Sequence, residues 1–267
     1  MIRRAPIQAI IYRYFSILRN SPDRVMGLYI WMFIEIVQWG FISTYLNEIV
    51  SGFNAMSVFF GALLLSQFNT RIMLNINMTF FEDMWARNFL NMFASPIRVS
   101  EYLLGLVTCG VITSFIGLLL ALAMALAIFG FSPLSYGLPL FGFVFILYLF
   151  GIALGILGCA IVLARGPSSE WFIWPIPALI IPFVGVYYPI RILPHWMQQF
   201  SVILPPRYVF ENVRNVLTGQ PFHLSDLAVG TALALVYLVL TSAIFLRVYR
   251  KAMRTGIIAR YSAENAN

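Results

Sequence analysis

Long apolar runs broken by short polar stretches organise this chain. Residues 102–164, 63 in all, contain no charged side chain. A single helix of that length would measure about 95 Å, roughly three times the hydrocarbon thickness of a bilayer. The run must therefore turn once, and the stretch from Gly130-Phe131-Ser132-Pro133 to Tyr136-Gly137 carries the turn signal. That places two crossings at about 103–129 and 138–164. Runs upstream give crossings at about 27–47 and 53–75, and runs downstream at about 171–190 and 227–247. The pattern predicts an all-α membrane protein with six transmembrane helices, forming one domain over residues 1–267. Pro175, Pro177, Pro182 and Pro189 crowd the fifth run. Each proline removes a helix hydrogen bond, so this run is predicted to be irregular and bent. Gly151, Gly155 and Gly158 in the fourth run allow close approach of a neighbouring helix.

The first twenty residues follow a different rule. Ile7, Ile10, Ile11, Tyr14, Phe15 and Leu18 recur at helical spacing, with Gln8, Ser16 and Arg19 away from that face. An amphipathic helix lying flat at the membrane surface is predicted, acting as an elbow that transmits movement or as a plain anchor. Arg13 and Arg19 interrupt the stretch and argue against a signal peptide.

Composition supports the membrane reading. Apolar residues make up 61% and charged residues 10%, a balance that excludes a soluble enzyme, a disordered chain and a disulfide scaffold. The net charge of +7 does not imply nucleic acid, because the 17 basic residues, 16 of them Arg, lie at the ends and in short connections. With six crossings, 14 of them fall on the side of both termini, and Arg191, Arg207 and Arg214 fall on the other. Both termini are predicted to be cytoplasmic. Cys109 and Cys159 sit inside apolar runs and read as small buried residues. No paired intramembrane carboxylates, no metal-ligand cluster, no nucleophile motif and no phosphate-binding glycine loop appear. The chain is expected to catalyse nothing and to bind no cofactor or metal of its own.

Three places carry polar chemistry. The first is residues 76–101, too polar to cross and too apolar to be free in water. Thr79 with Glu82 makes a capping-box pattern, Asp83 and Arg87 an i,i+4 pair, and Phe81, Trp85, Phe89 and Met92 another face. A short helix, about Phe80–Asn91, is predicted, docking into a pocket of a partner protein or lying on the lipid headgroups. The turn from Arg165 to Glu170 is a weaker contact candidate, or a plain loop with Ser168 or Ser169 as a cap. The second place is residues 191–226, where the Pro205-Pro206 break divides two apolar stretches. Two short helices dipping into the outer leaflet are predicted, as a gate involving Trp196, Pro205 and Tyr208 or as an interfacial hairpin. The third is Glu35, 11 residues past Arg24 and so roughly 16 Å into the membrane. Trp31 and Trp39 lie one turn either side of it, and Gln38 is adjacent. Aromatic walls with a polar anchor suit a substrate path, and a packing contact between helices is the plainer alternative.

Trp85, Leu90, Ser95-Pro96, Glu101-Tyr102-Leu103 and Gly105 resemble the cytoplasmic loop of the type-two permease family of ABC transporters. The outer segment is similar to the same family: Leu193-Pro194-His195-Trp196, then Leu204-Pro205-Pro206-Arg207-Tyr208, then Arg214 and Leu217-Thr218-Gly219. Leu204-Pro205 stands where the family often has Asn-Pro. The resemblance implies the permease subunit of an ATP-driven exporter in a bacterial cell (inner) membrane. It implies a homodimer in the lipid bilayer, with a separate ATP-binding cassette subunit holding ATP and Mg. It also implies that the helix at Phe80–Asn91 couples to that subunit, with Glu82, Asp83 and Arg87 as charged contacts and Phe81, Trp85 and Phe89 as packing contacts. A membrane anchor that docks a partner without transport is the alternative. An ion-coupled secondary transporter is disfavoured, since one membrane carboxylate and no inverted repeat are present.

Overall fold

A computed structural model of the chain describes residues 3–49, 56–86, 88, 95–132, 136–221 and 223–255. The regular elements among them are all helical. Surface helix α1 covers Arg4–Asn20, and α2 follows over Pro22–Ile49. A π-helical turn, Met56–Phe60, leads into α3, Gly61–Trp85. Helices α4, Val99–Phe129, and α5, Pro139–Arg165, come next. Three short helices precede the last long one: α6, Ile176–Val184; α7, His195–Ser201; and α8, Pro205–Leu217. Helix α9, Leu224–Thr255, closes the described chain.

Helices α2, α4, α5 and α9 are each long and apolar enough to cross a membrane. The turn between α4 and α5 is where the pattern predicts it. Gly130 ends α4 at φ 63°, a left-handed conformation that glycine adopts without penalty, and Pro139 opens α5. Helix α5 is the hub. Its apolar window is 72% buried, against 22–28% for the other three, so it packs between α3 and α9 while they expose broad apolar faces.

Helix α3 departs from expectation. The predicted crossing at 53–75 and the predicted separate helix from Phe80 are one continuous rod from Gly61 to Trp85, about 37 Å long. Thr79 does not start a new helix. Its hydroxyl donates to the Asn75 carbonyl at 2.8 Å, and the Asn77 amide donates to Met73 O at 2.8 Å. These side chains satisfy themselves on the preceding turn, so nothing interrupts the backbone ladder.

The run 171–190 also departs from a single crossing. A 3₁₀ segment covers Pro167–Phe172, and α6 then has only nine residues, about 13 Å, less than half a hydrocarbon core. Pro182 sits inside α6, Gly185 stops it at φ 70°, and Pro189 is extended. The proline crowding seen in the sequence accounts for this break.

The glycines of α5 let α3 approach closely. A Cβ at Gly151 would lie 2.1 Å from Ile72 Cγ2 and 2.7 Å from the Asn69 carbonyl oxygen, so the α3 backbone would have to move. At Gly142 the nearest atom would be Leu227 Cδ1 at 3.4 Å, an ordinary contact. Gly151→Ala is expected to cost about 1–3 kcal/mol and lower the melting temperature in detergent, with Gly142→Ala near wild type. Equal melting temperatures would contradict this packing.

Candidate functional site

Steps of four residues advance about 40° around a helix, so Trp31, Glu35 and Trp39 form one stripe on α2. That stripe faces α3 and the segment from Trp174 to Tyr187 across a cavity of about 410 Å³. Gln38 does not join them. It lies about 20° from Trp31 around the helix, yet it is exposed and does not line the cavity. The Trp39 ring stacks on Tyr187 with centroids 5.1 Å apart and planes 9° from parallel. Trp31 and Trp174 bring further aromatic surface to the walls.

The polar lining comes from α3. Gln67 donates a short hydrogen bond from its amide to Glu35 Oε2, and Arg71 Nη2 lies 3.6 Å from the same oxygen. Arg71 Nη1 donates to Leu28 O at 3.3 Å. The Arg71 side chain is 12% exposed and that of Glu35 41%, so the carboxylate opens to the cavity while the guanidinium is covered. Gln67 Oε1 and Arg71 Nε are buried without a hydrogen-bond partner. Charge counting put Arg71 with the 14 basic residues on the side of both termini, and Glu35 stood as the one membrane carboxylate. The two instead form a pair, with Gln67 one turn from Arg71. The i,i+4 spacing of Gln67 and Arg71 beside a membrane carboxylate is the signal that was available.

A second polar set holds the far end of α3. Asp83 is buried and accepts from Arg13 of α1 and from the Tyr102 hydroxyl at 2.8 Å. Glu82 accepts from Arg24 at the start of α2. Burial pushes the Glu82 carboxyl above its usual range, with Arg24 opposing the shift. Arg3 grips Glu101 through its backbone N–H at 3.0 Å and its guanidinium at 3.1 and 2.9 Å, which raises the Arg3 pKa. Ile10 and Tyr14 of α1 are buried beneath these pairs, and Ile10 lies against Gly105 of α4.

Of the residues expected to meet a partner, Phe81 and Asp83 are each 1% exposed and face the protein's own interior. Asp83 is covered by Arg13 of α1 and Tyr102 of α4, and Phe81 belongs to the apolar core, in place of the expected open faces. Glu82 is partly covered, and Trp85 is 48% exposed, donating from Nε1 to Glu170 Oε2 at 3.1 Å. Arg87 and Phe89 lie outside the described residues. The turn before Glu170 has its Ser169 hydroxyl on Gly166 O at 2.7 Å.

On the opposite end, Pro205 opens α8 and is buried, while the Tyr208 hydroxyl donates to Val202 O at 2.9 Å. Trp196 is exposed and meets Phe183 edge to face at 6.1 Å. Helix α8 is fastened to the end of α6 by two side chains that sequence reading passed over as site residues. Glu211 accepts from Ile190 N at 3.0 Å and from Arg214 at 2.8 Å, and Arg214 donates to Gly185 O at 2.8 Å. These bonds tie α8 to the segment 185–190 that carries Tyr187 of the cavity wall.

A family model described as ABC-2 type transporter matches residues 7–218. No curated protein matches the chain.

Proposed function

The chain belongs to the ABC-2 type transporter family, and from that premise we propose that it is the permease subunit of an ATP-driven exporter, working as a homodimer. A separate ATP-binding subunit holds ATP and Mg and supplies the work. In this reading α3 and the 171–190 segment complete six crossings, both termini are cytoplasmic, and α1 is the elbow in a bacterial inner membrane. Helices α7 and α8 dip into the outer leaflet as the gate. The supporting observation is that one unbroken helix, α3, carries the cavity groups Gln67 and Arg71 and ends at the exposed Trp85. A push on its cytoplasmic end reaches the cavity without a hinge, which gives closure of the ATPase pair a route to switch the path between inward and outward states.

The test is co-reconstitution of the permease with its ATP-binding subunit in liposomes, reading ATP-dependent movement of a short-chain fluorescent lipid. Flux is expected with ATP and absent with a non-hydrolysable analogue. Trp85→Ala is expected to weaken retention of the ATP-binding subunit about tenfold, the loss of one interface aromatic. Full ATP-driven flux and retention in Trp85→Ala would remove the contact. Binding of the subunit with no flux would favour the anchor reading.

A further inference from the structure

A second cavity, of about 290 Å³, lies at the end of α3 that carries Trp85. Tyr14 and Leu18 of α1, Asp23 and Arg24 of α2, and Glu82 and Trp85 of α3 bound it. It shares Gly27, Leu28 and Met78 with the larger cavity, so the two adjoin along the groove between α2 and α3. At the junction Gly27 leaves open space, since a Cβ built there meets nothing within 4 Å.

We infer that the smaller cavity is an admission chamber for the cargo, continuous with the larger one past Gly27, and that the pair accepts an elongated amphiphile with an uncharged, hydrogen-bonding head. This rests on the permease reading above. Two polar stations mark the groove, Arg24 with Glu82 and Arg71 with Glu35. Eleven residues of α3 separate Glu82 from Arg71, about 16 Å along the helix. Leu28, Leu74 and Met78 line the length between them, which suits an apolar chain.

The charges define the head. At each station one acid offsets one base, and Asp23 adds a further negative charge to the admission chamber. An anionic head meets Asp23 first and can engage Arg71 only by drawing it from Glu35. An uncharged head that both donates and accepts meets no such cost. Gln67 Oε1 and Arg71 Nε are an acceptor and a donor left without partners beside the Glu35 station.

Thr70 lines the larger cavity, and Thr70→Cys is a conservative probe of arrival there. Inverted vesicles with the cytoplasmic face outward are treated with two membrane-impermeant methanethiosulfonates, one glucosyl and uncharged, the other sulfonatoethyl and anionic. The buried Cys109 and Cys159 give the background, measured in the chain without Thr70→Cys. The glucosyl reagent is expected to label Thr70→Cys, with a rate unchanged in Gly27→Ala and about tenfold slower in Gly27→Phe, a barrier of about 1.4 kcal/mol. The anionic reagent, though smaller, is expected to react about fivefold more slowly than the glucosyl one, from the unbalanced charge at Asp23. A Gly27→Phe rate equal to that of Gly27→Ala would overturn the continuity. Equal rates for the two reagents would overturn the uncharged head. Gly27→Leu serves in place of Gly27→Phe if the larger ring prevents folding. The labelling needs neither nucleotide nor the ATP-binding subunit, so its failure is separable from failure of ATP-driven flux.

Discussion

Glu35→Gln lowers the melting temperature and cuts ATP-driven export about tenfold or more, and adding Arg71→Met restores the melting temperature without restoring export. The single change leaves the Arg71 guanidinium covered, with neutral acceptors such as the Leu28 carbonyl but no carboxylate to balance its charge among the described residues. Stranding a fully buried charge costs about 3–5 kcal/mol. Glu35 opens to the cavity, so solvent there already screens the pair, and about 1–2 kcal/mol is the expected loss. Neutralising both partners removes the stranded charge, and replacing an ion pair with neutral groups of similar volume is often without cost. Export does not return, because the cavity has lost both of its charged anchors. Thermal unfolding and flux in the same liposome preparations separate the two effects. Unchanged transport in both Glu35→Gln and Glu35→Ala, with folding intact, would take Glu35 out of the path.

Arg13→Ala releases α1. Asp83 is then left buried with the Tyr102 hydroxyl as its remaining partner among those described here. Breaking a buried pair by removing one member costs about 3–5 kcal/mol. Burial already pushes the Asp83 carboxyl above its usual range, so it takes up a proton more readily once Arg13 is gone, and about 2–3 kcal/mol is expected. Asp83→Asn in the Arg13→Ala background is expected to recover most of that loss. Limited proteolysis reads the effect directly, with cleavage within Arg4–Asn20 rising in Arg13→Ala and falling again in the double variant. If neither the melting temperature nor the cleavage changes, α1 is held by its apolar face and the Arg3–Glu101 pair without help from Arg13.

Much of the architecture was legible because bilayer thickness disciplines the pattern. An uncharged run of 63 residues has one economical solution, and α4 and α5 with the Gly130 turn are that solution. The apolar face of α1 was equally plain, and the structure packs Ile10, Ile11, Tyr14, Phe15 and Leu18 against the core. The stripe of Trp31, Glu35 and Trp39 was found from spacing, whereas Gln38, placed adjacent to it on the helix face, does not line the cavity.

Polarity misled the reading at α3. Arg71 was counted with the basic residues on the side of both termini because charge counting assumes that arginines mark membrane edges. That assumption fails when a carbonyl and a carboxylate from a neighbouring helix stand ready, as Leu28 and Glu35 do. Asp83 read as exposed because the pattern cannot reveal that α1, some seventy residues earlier, brings Arg13 onto it, and Phe81 read as exposed although it is buried in the core. Long-range pairing of this kind leaves no local periodicity.

The unbroken course of α3 fixes what evolution can do with it. Inserting or deleting one residue between Arg71 and Glu82 would swing one end about 100° relative to the other and shift it about 1.5 Å. Either the Glu35 pairing or the grip of Arg13 and Arg24 would then be lost. Descendants of this gene can exchange side chains along that stretch but cannot change its length, so homologous sequences should align through it without a gap even where both flanking loops vary.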